Sequence, residues 1–336
     1  MAVPTATGFK VVDAFSRIVR LGEGLAQTGA LSAAAMDRAV AALTICAEKL
    51  DRRGVKRRRC IATQACRGAA NGAEFIARVR AETGLAFDII SPREEARLAV
   101  VGCLNLIDRQ VETALVVDIG GGSTELSWVD VAELRLREST GRPVKPPIGA
   151  WASVPVGVVT LAESHPEPGA RSAWFADMVA QLTPRFANIP QAQRFRPHFE
   201  AGAAHYVGTS GTVTSLAGVH LRLQRYDRDR VDGLWMGMAE AFAARDRLRD
   251  MSHEARAREP CIGADRADLV LAGCAILEAI YAAWPVERLR VADRGLREGV
   301  LLGLMNQTPA KGRPARRRRG RRRGKPKAAA KPEATG

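Results

Sequence analysis

The feature that most restricts the possible folds of this chain is residues 116–125, Val-Val-Asp-Ile-Gly-Gly-Gly-Ser-Thr-Glu. The apolar run from Ala114 predicts a buried strand that ends at Asp118, and residues 126–129 predict a second strand after it. Three consecutive glycines between the strands allow the backbone to approach a ligand closely and to turn successive N–H groups towards a phosphate. A plain hairpin needs only one or two glycines, so the pattern favours an anion-binding loop.

The side chains around this loop add chemistry that phosphate binding can use. Asp118 could hold a divalent cation through water, and Ser123 and Thr124 supply hydroxyl donors. No helix pattern follows immediately, so the loop is not the Gly-x-Gly-x-x-Gly fingerprint of dinucleotide-binding proteins. It is predicted to be a phosphate loop of another kind.

A second loop of similar composition lies about ninety residues later, at residues 208–214, Gly-Thr-Ser-Gly-Thr-Val-Thr. It also follows a short apolar segment. By itself it is explained equally well as a polar turn. Together with the first loop it suggests two duplicated halves that face one cleft, and the alternation of strand and helix patterns along the chain predicts an α/β protein.

Two charged side chains in the first hundred residues are further candidates. Ser91 begins a capping-box pattern with Pro92 at the first helical position, so Glu94 is explained as a capping residue and Glu95 is free to face elsewhere. Glu95 is either a functional carboxylate or a solvated acid that favours the helix dipole. Arg67 follows a predicted strand and a turn of small residues. Its guanidinium suits two-point contact with phosphate, but on its own it would be explained better as a surface arginine.

The net charge of +15 is distributed unevenly. Residues 311–336 contain twelve Lys and Arg against one acid, which leaves only about +4 for the other residues. Because such a segment cannot bury apolar area, residues 307–336 are predicted to be a disordered basic tail. There is no run of about 18 apolar residues and no signal-peptide pattern. The six cysteines include no Cys-x-x-Cys pair, which is typical of reduced thiols in a cytoplasmic protein.

Six motifs together resemble the exopolyphosphatase/guanosine pentaphosphate phosphatase (Ppx/GppA) family, in order and in approximate spacing. They are Ala-Thr-Gln-Ala-Cys-Arg at 62–67, Glu-Glu-Ala-Arg-Leu at 94–98, Asp-Ile-Gly-Gly-Gly-Ser-Thr-Glu at 118–125, Pro-Val-Gly-Val-Val at 155–159, Gly-Thr-Ser-Gly-Thr at 208–212 and Gly-Leu-Arg-Glu-Gly at 295–299. The resemblance spans about residues 9–306. It implies an actin-like, ribonuclease-H-like α/β fold of two related domains, with magnesium and a phosphorylated substrate in a central cleft. It also implies the short form of the family, without a C-terminal HD-type domain, and suggests a homodimer.

The resemblance implies a role for each matching residue. Glu95 resembles the catalytic base that activates the attacking water, and Asp118 and Glu125 resemble catalytic acids linked to Mg²⁺ or another divalent cation. The implied phosphate ligands are Arg67, Gly120, Gly121, Gly122, Ser123, Thr124, Gly208, Thr209, Ser210, Gly211 and Thr212. The implied reaction is attack of water on the terminal phosphoryl group of inorganic polyphosphate or guanosine pentaphosphate, and the sequence does not decide between these substrates.

The resemblance fails at the amino terminus. Family members begin with a strand that carries an Asp-x-Gly-Ser/Thr-Asn phosphate loop, whereas residues 1–7 contain no aspartate and no glycine, and residues 8–13 match the second strand. A misassigned start is the favoured explanation, and with the sequence as written we expect catalysis to be impaired. The predicted domains are residues 1–130 and residues 131–306, whose last helix returns to the first domain.

Two other functions stay open from the sequence. Another actin-like enzyme, an ATPase or a sugar kinase, would share paired phosphate loops. A polyanion-binding protein would instead use the tail, where residues 311–327 could bind RNA or polyphosphate with strong salt dependence and little sequence specificity. The same residues are explained equally well as a solvated tail.

Overall fold

The structure, a computed structural model, describes residues 1–5, 8–140, 145–169 and 171–306. These residues form a mixed α/β structure. The strands are β1 (Ala2–Thr5), β2 (Gly8–Val11), β3 (Cys60–Ala62), β4 (Phe87–Ile89), β5 (Thr113–Ile119), β6 (Thr124–Asp130), β7 (Ile148–Val154), β8 (Ala204–Thr209), β9 (Trp235–Gly237) and β10 (Arg288–Ala292). The helices are α1 (Leu25–Thr28), α2 (Ala33–Arg52), α3 (Gln64–Gly68), α4 (Gly72–Thr83), α5 (Pro92–Cys103), α6 (Val131–Ser139), α7 (Val158–Ser164), α8 (Arg171–Ala187), α9 (Arg196–Glu200), α10 (Ser210–His220), α11 (Arg228–Val231), α12 (Met238–Asp250), α13 (His253–Arg258), α14 (Val270–Ala283) and α15 (Leu296–Asn306). Two 3₁₀ helices lie at Leu104–Leu106 and Pro190–Phe195.

Six strands form the main sheet, in the order β7-β6-β5-β8-β10-β9. β5 pairs antiparallel with β6 and parallel with β8, and β8 pairs parallel with β10. β5 is a continuous apolar segment because helices cover both faces of the sheet. Leu115 and Val117 are buried on one side in a core cluster with α8, α10 and α14, while Ala114 and Val116 are buried on the other side with α5 and α6. This central strand is therefore held rigidly from both sides.

The amino-terminal part has a separate hydrophobic core. Helices α2 and α4 pack against the parallel pair β3–β4, with Val40, Phe75 and Val79 buried among them. β1 and β2 pair antiparallel, and their residues are largely exposed. These two small sheets are separate from the main sheet in the described residues.

The predicted domain boundary between residues 130 and 131 does not follow the strand pairing. It would separate β6 from β7, which are neighbours in the main sheet. The sheet places β5 and β6 with the carboxy-terminal half of the chain. A division of the chain into two domains stays a prediction.

The last helix, α15, packs along α5. The two helices approach closely enough for backbone contact because Gly299 has no side chain at their crossing: a Cβ there would lie 2.0 Å from the carbonyl oxygen of Leu98. Ile90, Leu98 and Val300 are buried together beside this contact. α15 thereby fixes the position of α5, which carries Glu95.

Serine residues cap the starts of two helices, and the start predicted from Ser91 is confirmed. The hydroxyl groups of Ser32 and Ser91 accept hydrogen bonds from backbone N–H groups in the first turns of α2 and α5, each at 3.2 Å. The carboxylate of Glu94 pairs with Arg97, at 2.7 Å, on the exposed side of α5. The prediction that this carboxylate acts as a cap is therefore replaced by a surface ion pair.

Asn71 and Glu74 have the spacing that predicts a capping box at the start of α4, but the side chain of Asn71 makes no cap hydrogen bond there. The side chain of Asn71 instead bonds the backbone of Leu31, accepting from its N–H at 2.8 Å and donating to its carbonyl at 3.0 Å. This contact between segments forty residues apart depends on tertiary structure, so local spacing could not reveal it.

No helix in the described part of the chain is long and apolar enough to cross a membrane. The predicted basic tail, residues 307–336, lies outside the described residues. RNA binding by residues 311–327, the homodimer and the cytoplasmic location stay predictions.

Candidate functional site

A cavity of about 630 Å³ lies at the carboxyl ends of β5 and β8. Because these strands are parallel neighbours, with Asp118 and Thr209 opposite each other, both predicted loops leave the sheet at the same edge. The cavity is lined by residues 119–123 of the first loop, by Gly211 and Thr212 after β8, and by Glu95. The structure therefore brings the two loops and this carboxylate together at one cavity.

The first glycine loop is held in place from behind by α7. The carbonyl oxygens of Gly120 and Gly121 accept hydrogen bonds from the N–H groups of Val158 and Val159, both at 2.9 Å. Gly157 permits this contact, since a Cβ there would lie 2.5 Å from the Gly120 oxygen. Among the described residues, no backbone carbonyl accepts from the N–H groups of Gly121 or its neighbour at position 122. These two amides are the part of the loop that is available to an anion.

The hydroxyl groups predicted to donate to phosphate from this loop are engaged within the protein. Thr124 is fully buried and donates to the carbonyl of Val156 at 2.7 Å, directed away from the cavity. Ser123 donates to Oε1 of Glu125 at 2.8 Å. The loop therefore offers backbone amides to a ligand, whereas its hydroxyl groups organise the surrounding structure.

The second loop is largely the first turn of α10. Gly208 and Thr209 are buried at the end of β8, and the helix begins at Ser210, which has a φ of 77°. A serine with positive φ is strained, and such strain is common at functional sites. The Ser210 hydroxyl donates to the carbonyl of Ile119 at 2.8 Å, so it ties the start of α10 to the first loop. The amino-terminal end of an 11-residue helix then faces the cavity, where its free N–H groups favour an anion.

Glu95 is the fourth residue of α5 and is 7% exposed. Its Oε2 accepts a hydrogen bond from Nη1 of Arg67 at 3.2 Å. Burial raises the pKa of Glu95, while the adjacent guanidinium lowers it and the negative charge of Asp118 raises it further. The result is a buried carboxylate at a cavity wall with a strengthened affinity for a proton.

Asp118 and Glu125 lie beside Glu95 but outside the cavity lining. Burial raises the pKa of Asp118, and a hydrogen bond with Thr209 opposes this effect. Burial, together with the charges of Glu95 and Asp118, raises the pKa of Glu125 from 4.5 to about 7. Ser153, on β7, donates to the same Glu125 oxygen as the hydroxyl of the glycine loop, at 2.9 Å.

Glu95, Asp118 and Glu125 are the candidate ligands of a divalent cation near the cavity. No group of three or more His, Cys, Asp or Glu side chains in the described ranges is arranged to hold a metal ion. The donor chemistry nevertheless fits a divalent cation, because burial raises the pKa values of all three carboxyl groups and neighbouring acids raise those of Glu95 and Glu125 further. Mg²⁺ typically takes one or two protein carboxylates and completes its shell with water and phosphate oxygens. Asp118 and Glu125 would supply such carboxylates.

Two arginines that line the cavity were not predicted from the sequence. The guanidinium of Arg266 lies 3.8 Å from the position that a Cβ of Gly211 would take, at the amino-terminal end of α10. Arg266 has no ion pair within the described residues, so its charge is available to a ligand. Arg20, in contrast, pairs with Asp268 at 2.7 Å. Neither arginine lies in a motif, so only the fold identifies them.

Arg67, predicted to bind phosphate, makes its contacts within the protein. It is absent from the cavity lining, and its guanidinium contacts Glu95, Gln64 and the carbonyl of Ile90. The predicted ligands therefore divide into two groups. The loop amides and the start of α10 face the cavity, whereas Arg67, Thr124, Gly208 and Thr209 lie behind it.

Comparison with known proteins supports the same assignment of fold. The profile of the Ppx/GppA phosphatase family matches residues 2–308. An exopolyphosphatase-like protein of known structure is 26% identical, with a TM-score of 0.74 over 88% of this chain and 92% of that chain. A Ppx/GppA family member from Aquifex aeolicus is 25% identical, with a TM-score of 0.70 over 92% of this chain and 94% of that chain. An exopolyphosphatase from Cytophaga hutchinsonii, 20% identical, shares the fold with a TM-score of 0.76 over 92% of this chain and 94% of that chain. The predicted actin-like α/β class is confirmed.

Proposed function

Because the chain belongs to the Ppx/GppA phosphatase family, we propose that it releases terminal phosphate from inorganic polyphosphate or guanosine pentaphosphate. The observation that carries this proposal is the position of Glu95: a buried carboxylate on the wall of a cavity that two anion-binding elements also line. A buried carboxylate opposite such elements suits general-base activation of water next to a phosphoryl group.

Glu95 accepts the proton of the attacking water in this proposal. Burial raises the pKa of its carboxyl group and so strengthens it as a base, as long as the pH lies above that pKa. The water attacks the terminal phosphorus atom, and the bond to the bridging oxygen breaks. The proton resides on Glu95 until phosphate leaves.

The negative charge of the phosphoryl oxygens is offset by groups already aimed at the cavity. This stabilisation comes from the amino-terminal end of α10, from the amides of Gly121 and Gly122, and from the guanidinium of Arg266, which has no ion pair in the part of the chain that the structure describes. A divalent cation held by Asp118 and Glu125 would add positive charge beside the same oxygens. The positions of these groups are set before substrate binds, so little reorganisation is needed during the reaction.

Both substrate classes present a terminal phosphoryl group to such a site. The cavity also has an apolar wall that includes Leu21, Leu25, Val159 and Leu269. An apolar wall can accommodate a purine ring, so guanosine pentaphosphate should be tested together with polyphosphate. The alternative of an ATPase or a sugar kinase predicts instead hydrolysis of ATP, or transfer that depends on an acceptor.

The test is phosphate release from each substrate in the presence of Mg²⁺, by the wild-type chain and by Glu95→Gln. We expect Glu95→Gln to lower kcat by about 10²- to 10⁴-fold, the usual contribution of a general base. Glu94→Gln is the matched control, because the neighbouring carboxylate forms a surface ion pair with Arg97. Equal rates in the wild type and in Glu95→Gln would refute the assignment of the base. Release from ATP but from neither proposed substrate would favour the ATPase alternative.

A further inference from the structure

Arg67 has three hydrogen bonds within the protein. Its Nη1 donates to the carbonyl of Ile90 at 2.7 Å and to Oε2 of Glu95 at 3.2 Å, and its Nη2 donates to Oε1 of Gln64 at 2.8 Å. The guanidinium is therefore engaged on both of its terminal nitrogens. The Nε–H group and one Nη2 hydrogen have no acceptor among the described residues, so the role of Arg67 is judged from its position relative to the cavity.

Arg67 lies on the side of Glu95 that is away from the cavity. Glu95 lines the cavity, whereas Arg67 does not. The side chain of Arg67 is 20% exposed and that of Glu95 is 10% exposed, so this ion pair is well shielded from water. Shielding strengthens the attraction between the two charges and favours a single orientation of the carboxylate.

The acceptors of Arg67 connect Glu95 to the two structural elements that define the site. Ile90 lies between β4 and α5, so its carbonyl anchors the guanidinium to the start of the helix that carries Glu95. Gln64 lies at the start of α3 and packs against the glycine loop, where its Cγ is 3.3 Å from the position of a Cβ on Gly122. Arg67 thus links the carboxylate of Glu95, through Gln64, to the glycine loop at residues 120–122.

We propose that Arg67 is a positioning residue that orients the carboxylate of Glu95, with Gln64 holding the guanidinium in place, and that it does not bind substrate phosphate. This inference rests on the proposed function of Glu95 as the base. It predicts that Arg67 contributes to kcat through Glu95, while phosphate affinity depends on the loops and on Arg266.

Kinetics of Arg67→Gln and Arg67→Lys separate the two roles. For a positioning residue, kcat falls by about 10²-fold, because a small misplacement of a catalytic group costs that much, while KM stays within about twofold. Lysine keeps the charge but cannot make all three contacts, so Arg67→Lys recovers only part of kcat. Arg97→Gln is the matched control, since this arginine on the same helix as Glu95 pairs at the surface with Glu94. A large rise in KM, or in the inhibition constant of inorganic phosphate, would overturn the inference.

A double-mutant cycle tests the coupling directly. If Arg67 acts through Glu95, adding Arg67→Gln to Glu95→Gln lowers the residual rate little further. If Arg67 contacts phosphate, the two losses multiply.

A measurement that needs no activity distinguishes failure of this inference from failure of the proposed function. The pKa of Glu95, followed by ¹³C NMR of its carboxyl carbon, rises in Arg67→Gln if the ion pair exists in solution, because a stabilising positive charge is lost. An unchanged pKa overturns the inference even if no substrate is hydrolysed. A raised pKa without phosphate release by the wild type would support the ion pair and refute the proposed function.

Discussion

Replacing Glu125 by glutamine should change how the stability of the folded protein depends on pH. Glu125 is 3% exposed, and its pKa rises from 4.5 to about 7 because burial and two neighbouring acids oppose its negative charge. Between these two pH values the folded protein keeps a proton that the unfolded chain has released. The stabilisation is therefore fully present below pH 4.5 and is lost as the pH rises through about 7.

The size of the effect follows from the pKa difference. Each pKa unit corresponds to about 1.4 kcal/mol, so ionised Glu125 should cost about 3 kcal/mol of folding free energy at pH 8. Glutamine has no charge to bury, and its amide oxygen can still accept the hydrogen bonds of Ser123 and Ser153. Glu125→Gln should therefore remove most of this loss between pH 5 and pH 8. The stability of Glu125→Gln should still depend on pH to some extent, because Glu95 and Asp118 also have raised pKa values.

The assay is urea unfolding of the wild type and Glu125→Gln at pH 5 and pH 8, with EDTA present to remove divalent cations. Glu74→Gln, at an exposed glutamate on α4, is the control and should follow the wild type. The reasoning is refuted if the wild type loses no more stability than Glu125→Gln between the two pH values. Adding Mg²⁺ at pH 8 should stabilise the wild type more than the variant, if the cation binds this carboxylate.

Two further variants test the packing that supports the site. Gly299→Ala should destabilise the protein by about 1–3 kcal/mol, because its Cβ would lie 2.0 Å from the carbonyl oxygen of Leu98. Gly303→Ala, on the same helix, is the control: its Cβ meets nothing within 4 Å, so it should stabilise the protein by about 0.5–1 kcal/mol. Thermal unfolding of both variants checks this pair, and equal effects would show that α5 and α15 are not in backbone contact. Arg256→Ala should cost about 3–5 kcal/mol in urea unfolding, since the fully buried guanidinium pairs with Glu167 and three backbone carbonyls. A cost below about 1 kcal/mol would show that this arginine is not buried in solution.

The residues that could be predicted from the sequence are those whose signals are local. The apolar run before Asp118 predicts β5, and the three glycines predict the loop that follows it. Ser32 and Ser91 predict the starts of α2 and α5 because a cap forms with residues three positions away. From the second of these caps it followed that Glu95 could face inward, and the structure places it at the cavity.

Other features depend on contacts between distant segments, which local patterns could not predict. Thr124 is suited by type to donate to phosphate, but the pairing of β6 with β7 puts Val156 within reach of its hydroxyl. Arg67 is suited by type to bind phosphate, but the approach of α5 to α3 provides a carboxylate for its guanidinium. Side-chain type states what a residue is able to bind, whereas packing decides which partner is nearest.

The sequence by itself determined the α/β class and the two loops, because strand periodicity and glycine runs act over a few residues. Six motifs in order indicated the family, and the resemblance pointed to Glu95, Asp118 and Glu125 as candidate carboxylates. Only the tertiary structure decided that Arg67 and Ser153 hold carboxylates, that Arg266 faces the cavity without an ion pair within the described residues, and that β5 and β6 belong to the main sheet. These outcomes join residues from 28 to 91 positions apart. Strand pairing sets which segments become neighbours, and a buried charge or carboxylate then takes the partner that packing has brought within reach, since leaving it without one is costly.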